Sequence, residues 1–193
     1  MSIPTRRLLI AGLAAMLVGA AQAQGPATKA EPQGKPKTDE NKIKRPVATL
    51  ETAKGKIVIV LYPEEAPKTV ENFVTLAKKG FYNGLKFHRV EKEFVIQGGD
   101  PEGNGTGGPG YVIKNEANKK LRHNRGAVAM ANAGRDTAGS QFYIVISKPA
   151  PFLDEKYEDG VNKYTIFGQV IVGQEVAEGI AKDDKIIKVT VKP

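Results

Sequence analysis

From Val47 onward, the sequence is divided into short segments in which β-branched residues alternate with polar ones, with glycine or proline between the segments. A period of two is typical of strands that bury one face. Short connections allow neighbouring strands to pair only in antiparallel order. We therefore predict a mainly β fold of about eight strands, the clearest of which lie at residues 47–51, 56–62, 85–90, 94–99, 140–146, 164–172 and 185–191.

Two segments have the pattern of helices. Residues 67–80 begin with Pro67 and carry apolar side chains at helical spacing, including Val70 and Phe73, before Gly80 ends the pattern. Residues 173–181 form a second, shorter candidate. Antiparallel strands with short connections favour a barrel. The predicted fold is a closed eight-stranded antiparallel β-barrel capped by two α-helices.

The first 46 residues differ in composition from the rest. Arg6-Arg7 precede an apolar run at residues 8–18, and Ala21-Gln22-Ala23 has the small-x-small form of a signal cleavage site. The run is too short to span a bilayer permanently. We predict a cleaved export signal at residues 1–23 and hence a periplasmic or secreted protein. The arginine pair also fits twin-arginine export, so the route stays open.

Residues 24–46 are rich in lysine, proline and glutamine and have no apolar periodicity. They are predicted to be a flexible basic tether to a folded domain at residues 47–193. Of the net charge of +8, the first 46 residues contribute +5, from eight basic and three acidic side chains. The folded part carries only +3 and has no basic stripe interleaved with aromatic residues, so no nucleic-acid partner is expected.

The sequence contains no cysteine, which excludes disulfides, a thiolate nucleophile and cysteine-ligated metals. Its two histidines, His88 and His123, are not spaced at i,i+4 from another good ligand. This spacing predicts no metal site. We expect a protein that works without a cofactor, and we expect a monomer.

The most concentrated set of candidate functional side chains lies in the stretch FHRVEKEFVIQGGD. Alternation predicts that Phe87 shares a face with Arg89, and Val95 with Gln97. Phe94 lies three residues before Gln97, so strict alternation would put them on opposite faces. A bulge or bend is needed to bring both to the surface of Arg89. A guanidinium and an amide beside an apolar floor would suit a proline-containing peptide. The alternative is an ordinary hairpin with Arg89 in solvent.

Two loops follow this stretch. Residues 103–110 are dense in glycine, which permits positive φ angles and close approach of a ligand or strand. They lack the Gly-Lys-Ser/Thr ending of a phosphate loop. Residues 114–125 are polar and are predicted to be a surface loop, with Glu116 and His123 exposed.

Two later segments also suit a binding groove. Ala131-Asn132-Ala133 has small side chains, so it would provide a groove floor whose backbone pairs with an extended peptide. Alternatively, the small residues simply allow tight strand packing. In the strand at residues 140–146, Phe142 and Tyr143 must point to opposite faces, one to the core and the other to a pocket.

Residues 47–192 resemble the cyclophilin family of peptidyl-prolyl cis-trans isomerases, in a bacterial exported form. The resemblance implies an eight-stranded antiparallel barrel with a helix at each end and a substrate groove on its outer face. It rests on five motifs in the same order and spacing: Phe87-His88-Arg89-Val90, Phe94 through Asp100, Gly105-Thr106-Gly107-Gly108, Met130 through Gly134, and Gly139-Ser140-Gln141-Phe142.

The resemblance also implies the role of individual residues. Arg89 matches the catalytic arginine. The pocket for the proline ring falls on Phe94, Val95, Tyr143 and Leu153. The groups that bind the peptide fall on Gln97, Ala131, Asn132 and Gln141, and the remaining substrate-binding positions on Gly105, Ala133, Phe152 and Tyr164.

The chain departs from the family pattern at several of these positions. Phe152 stands where tryptophan is frequent, which implies weak binding of the inhibitor cyclosporin. Tyr143 stands where phenylalanine is frequent, and its extra hydroxyl is expected to reach water. Residues 158–163 look inserted, which leaves open whether Tyr157 or Tyr164 lines the groove, although the link to the next strand favours Tyr164.

The expected activity is acceleration of rotation about X-Pro bonds in exported proteins during folding. Rotation of a prolyl amide breaks no covalent bond, so it needs no nucleophile, base or metal. The expected partners are proline-containing peptides and unfolded or folding client proteins. The alternative is a proline-peptide-binding module or holdase chaperone that uses the same groove with little turnover, and a protease-coupled prolyl assay separates the two.

Overall fold

The computed structural model describes residues 45–117 and 120–193. The predicted export signal and residues 24–44 of the predicted tether lie outside the described residues. No described helix has the length and apolar character needed to cross a membrane. The described elements are β1 (Val47–Thr52), β2 (Gly55–Leu61), α1 (Pro67–Lys78), β3 (Arg89–Glu91), β4 (Val95–Gly98), β5 (Ala127–Met130), β6 (Phe142–Val145), a 3₁₀ helix (Pro151–Asp154), β7 (Ile166–Val172), α2 (Gln174–Glu178) and β8 (Ile186–Lys192).

The eight described strands form one antiparallel sheet in the order β3-β4-β6-β5-β7-β2-β1-β8. The sheet is an open half-barrel, because no ladder among the described residues joins the edge strands β3 and β8. The segments preceding these two strands are linked by a bridge between Lys86 and Lys185 and by backbone hydrogen bonds such as Ile186 N to Leu85 O at 2.8 Å. The predicted mainly β, antiparallel architecture is therefore present as a half-barrel.

Phe87 and Arg89 lie on different faces, so the prediction that they share one was wrong. The Phe87 amide donates to Asp184 O at 2.9 Å, whereas Arg89 pairs with Gln97 of β4. The chain thus changes its partner strand between these residues, and this change interrupts the alternation. Phe87 is fully buried in the core, while Arg89 is exposed on the outer surface.

The inner face of the sheet and the two helices enclose the main core. The ring centroid of Phe73 on α1 lies 5.0 Å from that of Tyr82, 5.6 Å from Phe142 and 5.2 Å from Phe167. Rings at these separations contribute favourable packing beyond the burial of their area. The second helix, α2, ends at Glu178 and is therefore shorter than the predicted segment 173–181.

Strands β5 and β6 are buried on both faces. Phe142 faces the main core and Tyr143 faces the opposite side, as the alternation predicts. On the outer side, a second apolar cluster floors the surface of the sheet. It comprises Val95, Ala127, Ala129, Tyr143, Val145 and Ile166, with Phe94, Leu121, Ala131, Leu153 and Tyr164 packed against them.

Glu116 is half-buried and caps helix α1, so the prediction that it is exposed was wrong. The Lys68 amide donates to Glu116 Oε1 at 3.0 Å, and the Thr69 amide donates to Oε2 at 2.8 Å. The Thr69 hydroxyl also donates to Oε2, at 2.6 Å. The residue at the N-cap position, Ala66, has no side chain that accepts such bonds. A carboxylate distant in sequence therefore satisfies the first turn of α1.

Candidate functional site

A cavity of about 410 Å³ opens on the outer face of the sheet, above the second apolar cluster. Ten of the thirteen predicted site residues line it. Glu155 and Lys163, which sequence reasoning missed, line it as well. The complete lining is Arg89, Phe94, Val95, Gln97, Ala131, Asn132, Tyr143, Phe152, Leu153, Glu155, Lys163 and Tyr164.

Arg89 reaches this cavity from the edge of the sheet. Residues Glu91 to Val95 form a tight turn in which Glu93 has a φ of 61°. This turn is the bend needed to bring Phe94 to the same surface as Gln97, and Phe94 lines the cavity together with Arg89. The guanidinium carbon lies 5.9 Å from the centroid of the Phe94 ring. Strand geometry and one turn thus place a cation beside an aromatic ring.

The Arg89 guanidinium is held by weak contacts and stays accessible. Its Nη1 donates to Gln97 Oε1 at 3.4 Å, and its Nε lies 3.6 Å from Glu91 Oε1. The side chains of Arg89 and Glu91 are 47% and 55% exposed. Because an ion pair this exposed is screened by water, it does not lock the guanidinium in place. The cation can therefore act on a ligand in the cavity.

A chain of amide hydrogen bonds extends from Arg89 along the floor. Gln97 accepts from Arg89 and donates through Nε2 to Gln141 Oε1 at 2.9 Å. Gln141 in turn donates to Gly105 O at 3.0 Å and Gly107 O at 2.9 Å. The glycine-rich loop is thereby attached to the strands that carry the cavity floor.

The remaining predicted residues line a second cavity of about 710 Å³ next to the first. Gly105, Ala133 and Gln141 belong to it, and Gln97, Ala131 and Asn132 lie on the boundary between the two cavities. The predicted residues therefore lie along one continuous outer surface. Its two cavities suit an extended ligand better than a compact one.

Asp100 organises the glycine-rich wall of the second cavity. Its carboxylate is buried and accepts backbone hydrogen bonds from Glu102, Asn104 and Gly105, at 2.9, 2.9 and 2.5 Å. Burial alone would raise the pKa of Asp100, but these hydrogen bonds outweigh it and hold the pKa below its usual value. Gly103, Gly105 and Gly110 adopt positive φ angles, as their density in the loop predicts.

The apolar wall of the first cavity has two sides. Phe152 on the 3₁₀ helix stacks at a tilt on Phe94, with 5.3 Å between centroids, and is 60% exposed. Leu153 from the same helix joins Val95 and Tyr143 on the floor. The result is an apolar notch whose lining also includes the Arg89 guanidinium, the amides of Gln97 and Asn132, and the Glu155–Lys163 ion pair.

Tyr143 and His123 correct two sequence predictions. The Tyr143 hydroxyl does not reach water; it lies 2.9 Å from His123 Nε2, and the residue is 5% exposed. His123 is 1% exposed rather than a surface residue. Its Nδ1 lies 2.7 Å from Asp154 Oδ1, and the same oxygen accepts the His123 backbone amide at 2.9 Å. A polar chain of three side chains therefore lies behind the floor of the cavity.

Burial shifts the pKa values of His123 and Tyr143. It lowers the pKa of His123 by more than the hydrogen bond and charge of Asp154 raise it. Burial also raises the pKa of Tyr143 well above its ordinary value. Both groups are therefore neutral at pH 7.

The segment predicted to be an insertion forms a small hairpin at the cavity wall. Lys156 bridges to Asn162, and the Tyr157 amide donates to Val161 O at 2.9 Å. Tyr164 lines the cavity, whereas Tyr157 packs under Arg135, whose guanidinium carbon lies 5.1 Å from its ring centroid.

Asn132 fastens this hairpin to the groove. Its side-chain amide donates to Lys163 O at 2.8 Å, an oxygen that also accepts from Asn115 Nδ2 at 2.8 Å. The side chain that the family resemblance assigned to the peptide therefore has a structural partner on the wall. Lys163 Nζ also pairs with Glu155 Oε2 at 2.6 Å, and both residues line the cavity. They lie at the two ends of residues 155–163, a segment whose path no local sequence pattern predicts.

Comparison with known proteins identifies the family. Residues 47–192 match the family described as cyclophilin type peptidyl-prolyl cis-trans isomerase/CLD. The chain is 49% identical over 149 residues to a peptidyl-prolyl cis-trans isomerase of Helicobacter pylori, with 77% of this chain and 84% of that protein covered. It is 51% identical over 139 residues to peptidyl-prolyl cis-trans isomerase B of Bacillus subtilis, with 72% and 92% covered.

Solved structures give the same result. A cyclophilin type isomerase of Cryptosporidium parvum superposes with a TM-score of 0.68 at 28% identity, covering 78% of this chain and 99% of that one. The same Cryptosporidium protein in the presence of the dipeptide Ala-Pro gives a TM-score of 0.66. Fold, family match and relatives agree: the chain belongs to the cyclophilin family and is a peptidyl-prolyl cis-trans isomerase.

Proposed function

We propose that Arg89 is the catalytic residue and that the 410 Å³ cavity holds the prolyl ring. As the X-Pro amide twists, resonance is lost and the lone pair on the prolyl nitrogen becomes available. Arg89 donates a hydrogen bond to this nitrogen or to the neighbouring carbonyl. Phe94, Tyr143 and Leu153 hold the ring while the bond rotates. The observation that supports this proposal most directly is that the Arg89 guanidinium lines the cavity beside Phe94.

The size of the required effect is modest. Uncatalysed X-Pro exchange takes about 100 s, so its rate is about 0.01 per second. An ordinary enzymatic turnover of about 10 per second requires about 4 kcal/mol of stabilisation specific to the transition state. A charge-assisted hydrogen bond at a partly desolvated site supplies a stabilisation of this order. No bond-making chemistry is needed.

The variant R89A tests this role. We expect kcat/KM for a proline-containing tetrapeptide to fall by about 10²–10³-fold, the usual effect of removing a preorganised donor. The matched control is R125A, which removes an arginine of similar exposure (54%) that does not line the cavity. A protease-coupled assay measures the rate, and circular dichroism checks folding. If R89A retained the activity of R125A, Arg89 would not be the catalytic group.

We propose that proline-containing peptides bind along both cavities, with the ring in the first cavity and the flanking backbone beside the second. Gln97, Ala131 and Asn132 lie on the boundary between the cavities, where backbone and amide groups suit peptide carbonyls and amides. Titration of the ¹⁵N-labelled protein with Ala-Pro, and then with a longer peptide, tests this order. Ala-Pro is expected to shift resonances of the first cavity, and the longer peptide those of both. Identical shifts from both ligands would contradict it.

We propose that residues 1–23 direct export and are removed, so that the isomerase acts on client proteins in the periplasm or outside the cell. The support is the order of Arg6-Arg7, the apolar run and the small residues before Gln24. Expression of the full chain in a bacterium should give a mature N-terminus at Gln24. A23F should block cleavage and A27F should not. An uncleaved, cytoplasmic protein would contradict the proposal.

We also propose that cyclosporin inhibits this isomerase weakly, because the smaller, 60% exposed Phe152 stands where the family often has tryptophan. F152W should lower the inhibitory concentration several-fold. Equal inhibition of both proteins would refute the proposed role of this side chain.

The sheet is further proposed to close into a barrel in solution through the Lys86–Lys185 bridge. The Phe87 and Ile186 amides, which donate across this seam, should then exchange with deuterium as slowly as amides of β1 and β2. Fast exchange at both positions would indicate an open edge.

A further inference from the structure

The side chains of Tyr143, His123 and Asp154 form a hydrogen-bonded cluster behind the cavity floor. His123 is 1% exposed and Tyr143 is 5% exposed. Buried polar groups of this kind destabilise a fold unless they are hydrogen-bonded, and here all three are linked within 2.9 Å. The cluster also joins three separate parts of the site wall. These are β6, the loop before β5 and the 3₁₀ helix that carries Phe152 and Leu153.

The direction of the hydrogen bonds follows from the chemistry of Asp154. A carboxylate only accepts, so His123 Nδ1 carries the proton that is shared with Asp154 Oδ1 at 2.7 Å. In the neutral imidazole, Nε2 is then an acceptor. The Tyr143 hydroxyl must donate to it at 2.9 Å. The phenol proton is therefore directed away from the cavity floor on which a prolyl ring would rest.

Protonation of His123 reverses the second bond. Both ring nitrogens then donate, so the Tyr143 hydroxyl accepts from Nε2 and its own proton must turn elsewhere. Tyr143 lines the cavity, but its hydroxyl is buried behind the cavity floor, so the unpaired proton is left without water or another acceptor unless the ring shifts. A shifted ring would change the floor on which the prolyl ring rests and so weaken its binding. Either the Tyr143 hydroxyl keeps an unpaired buried donor, which is unfavourable, or the ring moves.

We propose that His123, oriented by Asp154, is a positioning residue that keeps the Tyr143 hydroxyl out of the prolyl pocket, so that protonation of His123 weakens substrate binding. This inference rests on the proposed function of the cavity. It concerns binding of the ring rather than the twisted amide, because Tyr143 contacts the ring equally in the ground and transition states. The effect should therefore appear in KM and leave kcat nearly unchanged.

Four ionisable groups surround His123. Asp154 contacts Nδ1 from the 3₁₀ helix, and Tyr143 contacts Nε2 from β6. Tyr164 packs edge-on at 6.5 Å between centroids, and Arg122 Nε lies 4.0 Å from Asp154 Oδ2. Burial lowers the pKa of His123 more than Asp154 raises it, so the change in KM is expected below pH 6.5, the ordinary value for histidine.

The test uses the folding-competent full chain and a peptide with blocked ends, so that the substrate does not titrate. Exchange spectroscopy measures cis-trans rates without a protease between pH 4.5 and 8. We expect KM to rise about fivefold on the acidic side, the factor that corresponds to one ordinary hydrogen bond of about 1 kcal/mol. The midpoint should equal the pKa of His123 read from its own ring resonance.

Three variants separate this inference from other causes. Y143F lacks the hydroxyl, so its profile should be flat even if its KM at pH 8 differs from that of the wild type. H123Q keeps an acceptor for Tyr143 and does not titrate, so its profile should also be flat. His88, the only other histidine in the chain, also has a pKa lowered by burial, and H88Q should keep the acidic rise and assign the two resonances.

A flat wild-type profile, or an acidic rise retained in Y143F, would overturn the inference while the isomerase activity stood. A loss of activity at acid pH in which kcat falls while KM stays constant would equally overturn it. Loss of the effect of R89A would instead defeat the proposed catalytic role and leave these pH profiles interpretable, so the two failures are distinguishable.

Discussion

Removal of the Glu116 carboxylate should destabilise the domain through helix α1. E116A leaves the Lys68 and Thr69 amides and the buried Thr69 hydroxyl without their acceptor. Loss of an N-cap costs about 1 kcal/mol. An unpaired buried hydroxyl costs about 1 kcal/mol more. The interaction of the charge with the helix dipole adds about 0.5 kcal/mol. We therefore expect the free energy of unfolding to fall by about 2–3 kcal/mol.

Urea unfolding followed by circular dichroism measures this change, and for a domain of about 150 residues the melting temperature should fall by about 5–10 °C. E116Q keeps one carbonyl oxygen as acceptor and should lose about half as much. The matched control is E71A on the same helix, which breaks only the exposed Lys68–Glu71 pair and should change stability little. Unfolding of E116A and E71A at the same urea concentration would show that Glu116 does not cap α1.

Two further predictions concern the glycine-rich wall. In G107A the added methyl group would collide with the Asp100 carboxylate and lie 2.7 Å from Glu102 Cγ, whereas Gly108 has open space around it. G107A should therefore reduce both stability and peptide binding, while G108A should not; equal binding by both would exclude a role for this packing. Asp100 has a pKa below 3.8 in the folded state, so its contribution to stability is complete above that pH and is lost as the pH falls through the folded value. D100N should unfold with a shallower acid dependence than the wild type, and unchanged acid dependence would show that the carboxylate is not stabilised by its backbone donors.

Local patterns predicted most of the strands, both helices and part of the cavity lining. Helix α1 was predicted because Pro67 and the apolar spacing after it are local signals, and the helix begins at that residue. Val95 and Gln97 share a face as alternation predicts, and Phe94 reaches the same cavity through the predicted bend, whereas the alternation of Phe87 with Arg89 failed. Phe94, Val95 and Gln97 lie close together in the sequence, where strand and turn geometry leaves few alternatives.

Contacts between distant segments were not predictable in the same way. Phe87 is buried because the chain changes its partner from the segment before β8 to β4, and composition carries no sign of that change. Glu116 and His123 were placed in solvent because each lies in a polar loop, yet each is bonded to side chains or backbone 20 or more residues away. One signal was available for His123: a tyrosine in a fully buried strand needs a hydrogen-bond partner, and histidine is scarce in this chain.

Peptide affinity measured alongside turnover in R89A tests the central claim most directly. Titration calorimetry gives the Kd of a proline-containing peptide, and exchange spectroscopy gives its cis-trans rate on the same protein. If Arg89 acts on the twisted amide, R89A binds the peptide within about threefold of the wild type but turns it over about 10²–10³-fold more slowly. Catalysis that persists in R89A, or a loss of rate explained entirely by weaker binding, would contradict the account.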